Sequence, residues 1–459
     1  MTQATEWDCI IVGGGASGCQ AARTLAQAGQ RVMLIEARNR LGGRTYSKTA
    51  DCGMSVDVGG QWLGPGQNRA LKLARELDLE LWPQPQHGAN LLRLHGKTRS
   101  FKGNIPGLPL LSLLDMQISI WRLEAMARQI LAEAPQDSLK ADEWDRMSVA
   151  QWMNRKIKSR LTRSVFTAAI HAVLATEPEE VSMLQLLFYL KSAGGLMPLI
   201  SAEGGAQEQR ITGGAQQLSE GLASLARGHG AEFRTSTPVR HIDQDADGVD
   251  VITDSGTLRA RQVIVAMSPL DATRIDFGPA LPTRRRQLMN RMPMGSAIKV
   301  IMVYDKPFWR EAGLSGEMVC DEGPLRMTFD STPPDSEQGA LVGFILGAEA
   351  AHYSELPKEI RYGDIRRQLA DFFGKPAGNP IQYIEKDWCA DQFAHGCYAG
   401  LMSPGVMSRL GDTIRMPVGR IHWAGTETAT QWNGYIEGAL QSGERAAEEV
   451  MAAMTQASA

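Results

Sequence analysis

Cys9-Ile10-Ile11-Val12-Gly13-Gly14-Gly15-Ala16-Ser17-Gly18-Cys19 decides the fold, because an apolar run stops in glycines and restarts as a small-residue helix. The spacing Gly13-x-Gly15-x-x-Gly18 predicts a strand over Cys9 to Val12, a tight loop, and a helix over Cys19 to Ala28 that Gly29 ends. The first glycine permits the turn, the second lets backbone approach a pyrophosphate, and the third lets helix and strand pack closely. Arg31 to Ile35 reads as a second buried strand ending at Glu36, an acid placed to accept hydrogen bonds from a ribose and to repel a 2′-phosphate. This unit opens a doubly wound α/β fold that holds a dinucleotide, and the loop alone leaves FAD and NAD both open.

Downstream, Leu91 to Met197 is rich in Leu, Met, Ala and Arg at helical spacing, notably across Leu111 to Ala134 and Val181 to Ser192, and predicts a mainly helical insertion. Strands are expected at Glu232 to Arg234, Val249 to Thr253 and Gln262 to Ala266, where the first sheet resumes. Ser296 to Tyr304 alternates like a half-buried strand, and Ala340 to Leu346 and Pro380 to Glu385 predict a second sheet bearing helices. From Arg420 the chain reads strand, glycine turn and alanine-rich helix, with Thr455 to Ala459 as an unstructured tail.

A chain of 459 residues exceeds what one hydrophobic core supports, so two packed domains are expected. Its 43% apolar and 22% charged residues and net charge of -3 supply no basic field, which excludes nucleic acid as a partner class. The densest positive run, Arg284 to Arg286, follows Pro282 and reads as a solvated helical face. Six cysteines without a Cys-x-x-Cys pair indicate neither a disulfide framework nor a zinc site, and Cys19 reads as packing. Met1 to Asp8 lacks the regions of a secretory signal. Leu108 to Trp121 and Leu184 to Ile200 are interrupted by Asp115, Lys191 and Gly194-Gly195 before reaching membrane-spanning length, so a cytoplasmic protein is expected.

The stretch Glu36-Ala37-Arg38-Asn39-Arg40-Leu41-Gly42-Gly43-Arg44-Thr45 resembles the FAD-binding segment of the flavin amine oxidase family. Further matches are Asp57 to Gly64, Arg210 to Gly214, Lys299 and Pro307-Phe308-Trp309. The most specific block comprises Trp388-Cys389, Gly396-Cys397-Tyr398, Ala424 to Ala429 and Trp432 to Gly438. The resemblance covers nearly the whole chain and is strongest to the monoamine oxidase branch. It implies a doubly wound FAD-binding domain of the glutathione-reductase and amine-oxidase type with a mixed-sheet and helical substrate domain. The implied FAD-binding domain is discontinuous, from 1–90, 205–290 and 390–459, and the substrate domain comprises 91–204 and 291–389.

Carried over residue by residue, the resemblance places Gly13, Gly15, Ser17 and Gly18 at the pyrophosphate, and Glu36 and Arg38 at the adenosine ribose. Gly43 and Arg44 fall near the pyrophosphate and ribityl chain, Val239 at adenine through its backbone, and Gly60, Gln61 and Trp62 beside the flavin ring. Gly425, Thr426 and the backbone of Ile436 complete the far side, and Trp388 packs by the ring. Cys397 matches the cysteine bonded through sulfur to the 8α carbon of FAD, the alternative being a free buried thiol. His395 invites a Cys-His nucleophile, yet neighbours on a tight turn need not face each other.

Tyr398 and Tyr435 match the tyrosines that flank the substrate amine, where electron-rich faces align it without holding it protonated. Alternation puts Lys299 on the face of Ala297, Ile301 and Val303, where a lone ammonium is costly; the alternative is a snorkelling edge lysine. The matching lysine of the family binds a water at flavin N5, where oxygen reacts. Gln207 and Ile200 align with the family's substrate cavity, and the apolar region before them fits small aromatic or aliphatic amines.

The implied activity is oxidation of a primary or secondary amine to an imine or aldehyde, releasing ammonia or an amine and hydrogen peroxide. Rivals are an enzyme of cyclic amines, nicotine-like compounds or amino acids, a dehydrogenase with another acceptor, and a flavin-binding protein that turns nothing over. Retention of Lys299, Tyr398 and Tyr435 together argues against the last. The expected partners are a small amine and O2, with a homodimer left open. The chain stops soon after Glu444 to Met454 without the C-terminal anchor of mitochondrial monoamine oxidases, so no membrane partner is expected.

Overall fold

The computed structural model of the chain describes residues 7–103 and 107–458. Trp7–Val12 lies inside an eight-stranded sheet, parallel to Val32–Ile35 on one side and to Gly256–Val265 on the other. Its register pairs Val12 with both Ile35 and Val265, so the strand ends that face the glycine loop are level. Glu232–Arg234 extends the parallel edge. Val249–Thr253 and Val239–Gln244 continue antiparallel beyond Gly256–Val265, and Asp276–Gly278 closes that edge. Ile421–Trp423 joins Gly256–Val265 in parallel, which brings the far end of the chain into the first sheet. The central strands are buried on both faces, which explains why they read as continuous apolar runs.

Helix Ala16–Gln27 packs against Gln217–Gly228 and the last helix, Ile436–Ser458. Small residues permit this approach: a Cβ on Gly443 would lie 2.3 Å from the Ser17 carbonyl oxygen. The last helix continues to Ser458, which corrects the unstructured tail expected from Thr455; Ala459 lies outside the described residues.

The second sheet runs in the order Gln382–Asp387, Ala297–Tyr304, Gly339–Leu346, Met327–Asp330, Leu314–Cys320, Ala89–Leu94 and Lys97–Phe101. Ala297–Tyr304 is paired on both sides and buried at every position, not half-buried. Ala297, Ile301 and Val303 face a cluster with Phe344, Trp388 and Cys397, while Ile298, Val300 and Met302 pack with Ile365 and Leu369 of helix Lys358–Phe373.

The helical region begins later than its composition predicts. Ala89–Leu94 and Lys97–Phe101 form a hairpin, because His95 (φ 51°) and Gly96 (φ 71°) make a two-residue turn that the apolar run conceals. Helices then extend from Leu110–Ala127 to Leu196–Ile200. Among the described residues, no helix is long and apolar enough to cross a membrane, and no group of three or more His, Cys, Asp or Glu is placed to hold a metal.

The arginine run needs a correction. It lies on helix Thr283–Met289, but Arg285 turns inward: it is buried, donates to the carbonyls of Thr413 and Ile414, and sits 3.6 Å from the Trp423 ring centroid. Arg284 keeps to the outside, paired with Asp412. Helical spacing sends one arginine of three toward the sheet, and two carbonyls and an indole face hold its charge there.

Candidate active site

A cavity of about 550 Å³ runs from the glycine loop to the second sheet. At its first end, Gly13 adopts φ 110°, and a Cβ there would meet the Ala266 carbonyl oxygen at 2.6 Å, so only glycine fits. Gly15, Ser17, Glu36, Arg38 and Val239 line the same end. Glu36 is fixed by Gly14 N at 2.7 Å and Arg38 N at 2.8 Å. Arg38 pairs with Asp391 at 2.5 Å and lies over the Phe393 ring. The Ser17 hydroxyl is 2.9 Å from Ser442 Oγ and accepts from Gly425 N, which ties the first helix to the last segment. Gly18 does not line the cavity; a Cβ there would lie 1.9 Å from the Gly13 carbonyl oxygen, so it serves the contact of helix and loop.

Gly43 and Arg44 line the middle. Arg44 grips Glu427 with both terminal nitrogens, at 2.6 and 3.1 Å, and donates to the Tyr398 carbonyl at 2.8 Å. Burial works against the Glu427 charge, but Arg44 outweighs it by charge and hydrogen bonding and holds the carboxyl below its usual range. Gly425, Thr426 and Ile436 reach this wall from the C-terminal segment.

At the second end, Lys299 Nζ donates to the Gly59 carbonyl at 2.8 Å and to Gln61 Oε1 at 2.5 Å. Lys299 is 3% exposed in a strand paired on both sides, which excludes the edge-lysine alternative. Burial pulls its pKa down to about 7; Asp57 opposes this and Arg210 adds to it. Gly60 and Trp62 line the cavity beside it. Trp62 is held by Gln84 Oε1 at 2.8 Å and by ring contacts with Phe329 and Phe344. Trp388 donates to the Val58 carbonyl at 2.8 Å.

Cys397 is buried on the cavity wall, where burial pushes its thiol up to about 12 while Arg44 opposes the shift. His395 does not pair with it: His395 Nδ1 lies 2.7 Å from Asp271 Oδ1, and Ser268 holds the other oxygen of that carboxylate. Tyr398 and Tyr435 both line the cavity, and burial raises both hydroxyls, so they stand as neutral phenols. Tyr435 is braced by Tyr189 and Trp432, with ring centroids at 5.9 and 5.2 Å. Gln207 lines the cavity; Ile200 does not, because it ends the short helix Leu196–Ile200 and is 36% exposed.

Sequence reasoning passed over Tyr189, Ala172, Val173, Met327 and Phe344, all on this wall. In sequence they carry no signal beyond that of core residues. Glu427 was also missed as a partner, although it lies inside the quoted Ala424 to Ala429 block.

The cavity fits FAD. A glycine loop that Cβ atoms would obstruct stands at one end, and at the other the Gln61 Nε2 donor is buried without a protein partner. The fold and this dinucleotide-shaped cavity with aromatic and lysine side chains at its far end define a flavoprotein oxidoreductase. The chain belongs to the flavin-containing amine oxidoreductase family, whose profile matches residues 16–451, and FAD is its cofactor. It is 39% identical over 450 residues to the "Probable flavin-containing monoamine oxidase A" of Dictyostelium discoideum, covering 97% of this chain and 98% of that protein. Cyclohexylamine oxidase from Brevibacterium oxydans IH-35A superposes with a TM-score of 0.92 at 33% identity, covering 98% of this chain and 99% of that one. Putrescine oxidase bound to putrescine superposes with a TM-score of 0.92 at 31% identity, covering 97% and 99%.

Proposed function

We propose that this chain oxidises small apolar monoamines. The CH–NH unit of the amine becomes the C=N double bond of an imine, O2 takes up the two hydrogens as hydrogen peroxide, and hydrolysis of the imine completes the reaction. FAD supplies the two-electron acceptor that O2 regenerates. The observation that carries the reading is a cavity end bounded by Tyr398, Tyr435 and Lys299 with no free carboxylate. The two acids on the cavity wall are committed, Glu36 to Gly14 N and Arg38 N, and Asp271 to Ser268 and His395. An amine there meets phenol faces that orient it and no anion that would hold it protonated, so the nitrogen lone pair stays free. The same absence among the described residues disfavours a diamine, whose second ammonium would lack a partner. Arg44 is engaged by Glu427, which leaves it unsuited to an amino-acid carboxylate.

Tyr398 and Tyr435 orient the substrate, and Trp62, Phe344, Met327 and Val173 exclude water around its apolar body. The likeness to cyclohexylamine oxidase favours alicyclic amines. Lys299 Nζ, poised near neutrality, holds and exchanges the proton that the oxygen product needs. Gly13, Gly15, Ser17, Glu36, Arg38, Gly43, Arg44 and Val239 hold the dinucleotide, while Gly60, Gln61, Trp62, Trp388, Gly425, Thr426 and Ile436 surround the ring. Cys397 is joined to FAD through sulfur.

Residues 1–90, 205–290 and 390–459 form the FAD-binding domain, which is supported by their supplying every strand of the first sheet. Residues 91–204 and 291–389 form the substrate domain. Six cysteines with no disulfide among them fit a reducing compartment, and we place the protein in the cytoplasm.

Acid precipitation of the purified protein, followed by a panel of amines read by peroxide release, tests the reading. Yellow colour retained in the pellet and peroxide from benzylamine or cyclohexylamine are expected. Colour in the supernatant would overturn the sulfur bond, and silence across the panel the activity.

A further inference from the structure

Lys299 donates to two oxygens, the Gly59 carbonyl and Gln61 Oε1, and an ammonium or amine bears at most three N–H groups. One Nζ position therefore remains, an N–H when protonated and a lone pair when not. Because Nζ donates, the amide atom facing it must be the oxygen, which fixes the orientation of Gln61 on chemical grounds. The planar amide then sends Nε2 the other way, where it is buried without a protein partner, and Gln61 itself lines the cavity. Gln61 is 2% exposed, so leaving that donor unmatched is costly unless the bound cofactor accepts from it.

We propose that Gln61 is a positioning residue for the oxygen-dependent half of the reaction: it clamps Lys299 through Oε1, so that the remaining Nζ position faces the reacting end of the cavity, and donates to the bound FAD through Nε2. The inference rests on the assignment of Lys299 made above. Gly59 O and Gln61 Oε1 hold two Nζ positions in either protonation state, so a proton enters and leaves by the third alone.

The charged groups around Lys299 leave Gln61 free to tune it. Asp57, on strand Ser55–Asp57, is engaged by Ser47 and Ala215 N and lies 4.0 Å from Arg210. Arg210, on Gln209–Ile211, donates to Ser331. Lys386, directly opposite Lys299 on the neighbouring strand, is turned to Asp391 at 2.5 Å. Cys397 is the remaining neighbour, and once its sulfur is joined to FAD it has no thiol to titrate; Gln61 is the neutral side chain that accepts a hydrogen bond from Nζ.

The test is a pH titration of the visible absorption of the resting FAD-loaded enzyme, with reduction by benzylamine under anaerobic conditions and reoxidation by O2 followed separately. The wild type is expected to titrate with a midpoint of about 7, and Lys299→Met to lose that transition. Gln61→Glu places a carboxylate on Nζ and raises the midpoint by about 1–3 pH units. Gln61→Leu slows reoxidation about tenfold more than it slows reduction, since it removes the clamp without adding charge. A midpoint that Gln61→Glu leaves in place, or equal slowing of both half-reactions in Gln61→Leu, overturns the inference alone. A transition that survives in Lys299→Met overturns the Lys299 assignment and the inference with it.

Discussion

Arg44 and Glu427, 383 positions apart in the chain, form a two-point ion pair across the middle of the cofactor cavity. The pair joins the segment after Glu36 to the segment after Ile421–Trp423, and Arg44 extends it to the Tyr398 carbonyl. It is therefore a tie between distant stretches as well as a wall.

Glu427→Ala should destabilise the protein by about 3 kcal/mol, the low end for breaking a buried pair because Arg44 keeps 25% of its side chain exposed. Thermal melts of the FAD-loaded protein measure this. Glu427 also predicts an acid limb. Its carboxyl is held below its ordinary value in the fold, so its contribution is complete above the unfolded pKa of about 4.3 and is lost as pH falls through the folded value. Glu427→Ala should flatten that limb.

Lys299 has the opposite sign. Its folded pKa of about 7 lies below the unfolded value near 10.4, so the unfolded chain binds more protons between them and stability rises with pH across that window. Relative to Lys299→Met, the wild type should gain about 2 kcal/mol between pH 7 and pH 9 in denaturant melts. A parallel pair of curves would show that Lys299 stays charged in the fold.

The two cavity tyrosines act through their rings in the proposed reaction. Tyr435→Phe should keep kcat/KM for benzylamine within about threefold of wild type, while Tyr435→Ala should lose at least about tenfold. Equal losses in both variants would assign the effect to the hydroxyl.

Ala172 lines the cavity and packs with the cluster that holds Phe329, Phe344 and Trp62. Ala172→Leu should narrow the substrate end and raise KM for cyclohexylamine about tenfold more than for methylamine. Steady-state peroxide assays on the two amines decide it.

Much of this was legible in the residues. The glycine spacing gave the loop, the first two strands and Glu36, because each glycine answers a local steric demand. Period-two alternation put Lys299 on the correct face before any partner was visible. Features that depend on tertiary placement stayed hidden. The Leu91 to Leu94 run looks helical until His95-Gly96 is recognised as a hairpin turn. Arg285 reads as surface because its carbonyl and indole partners lie over a hundred residues away. Gln61 is beside the ring by resemblance, yet its grip on Lys299 needs a loop and a strand brought together across 238 positions.

The late-joining strand Ile421–Trp423 sets a timetable for maturation. A ribosome makes the glycine loop about four hundred residues before Gly425 to Ile436, so over that stretch the nascent protein carries an open-sided nucleotide groove. Cofactor capture thus waits for Gly425 to Ile436 to leave the ribosome, and fragments halted before residue 420 should emerge colourless and prone to degradation.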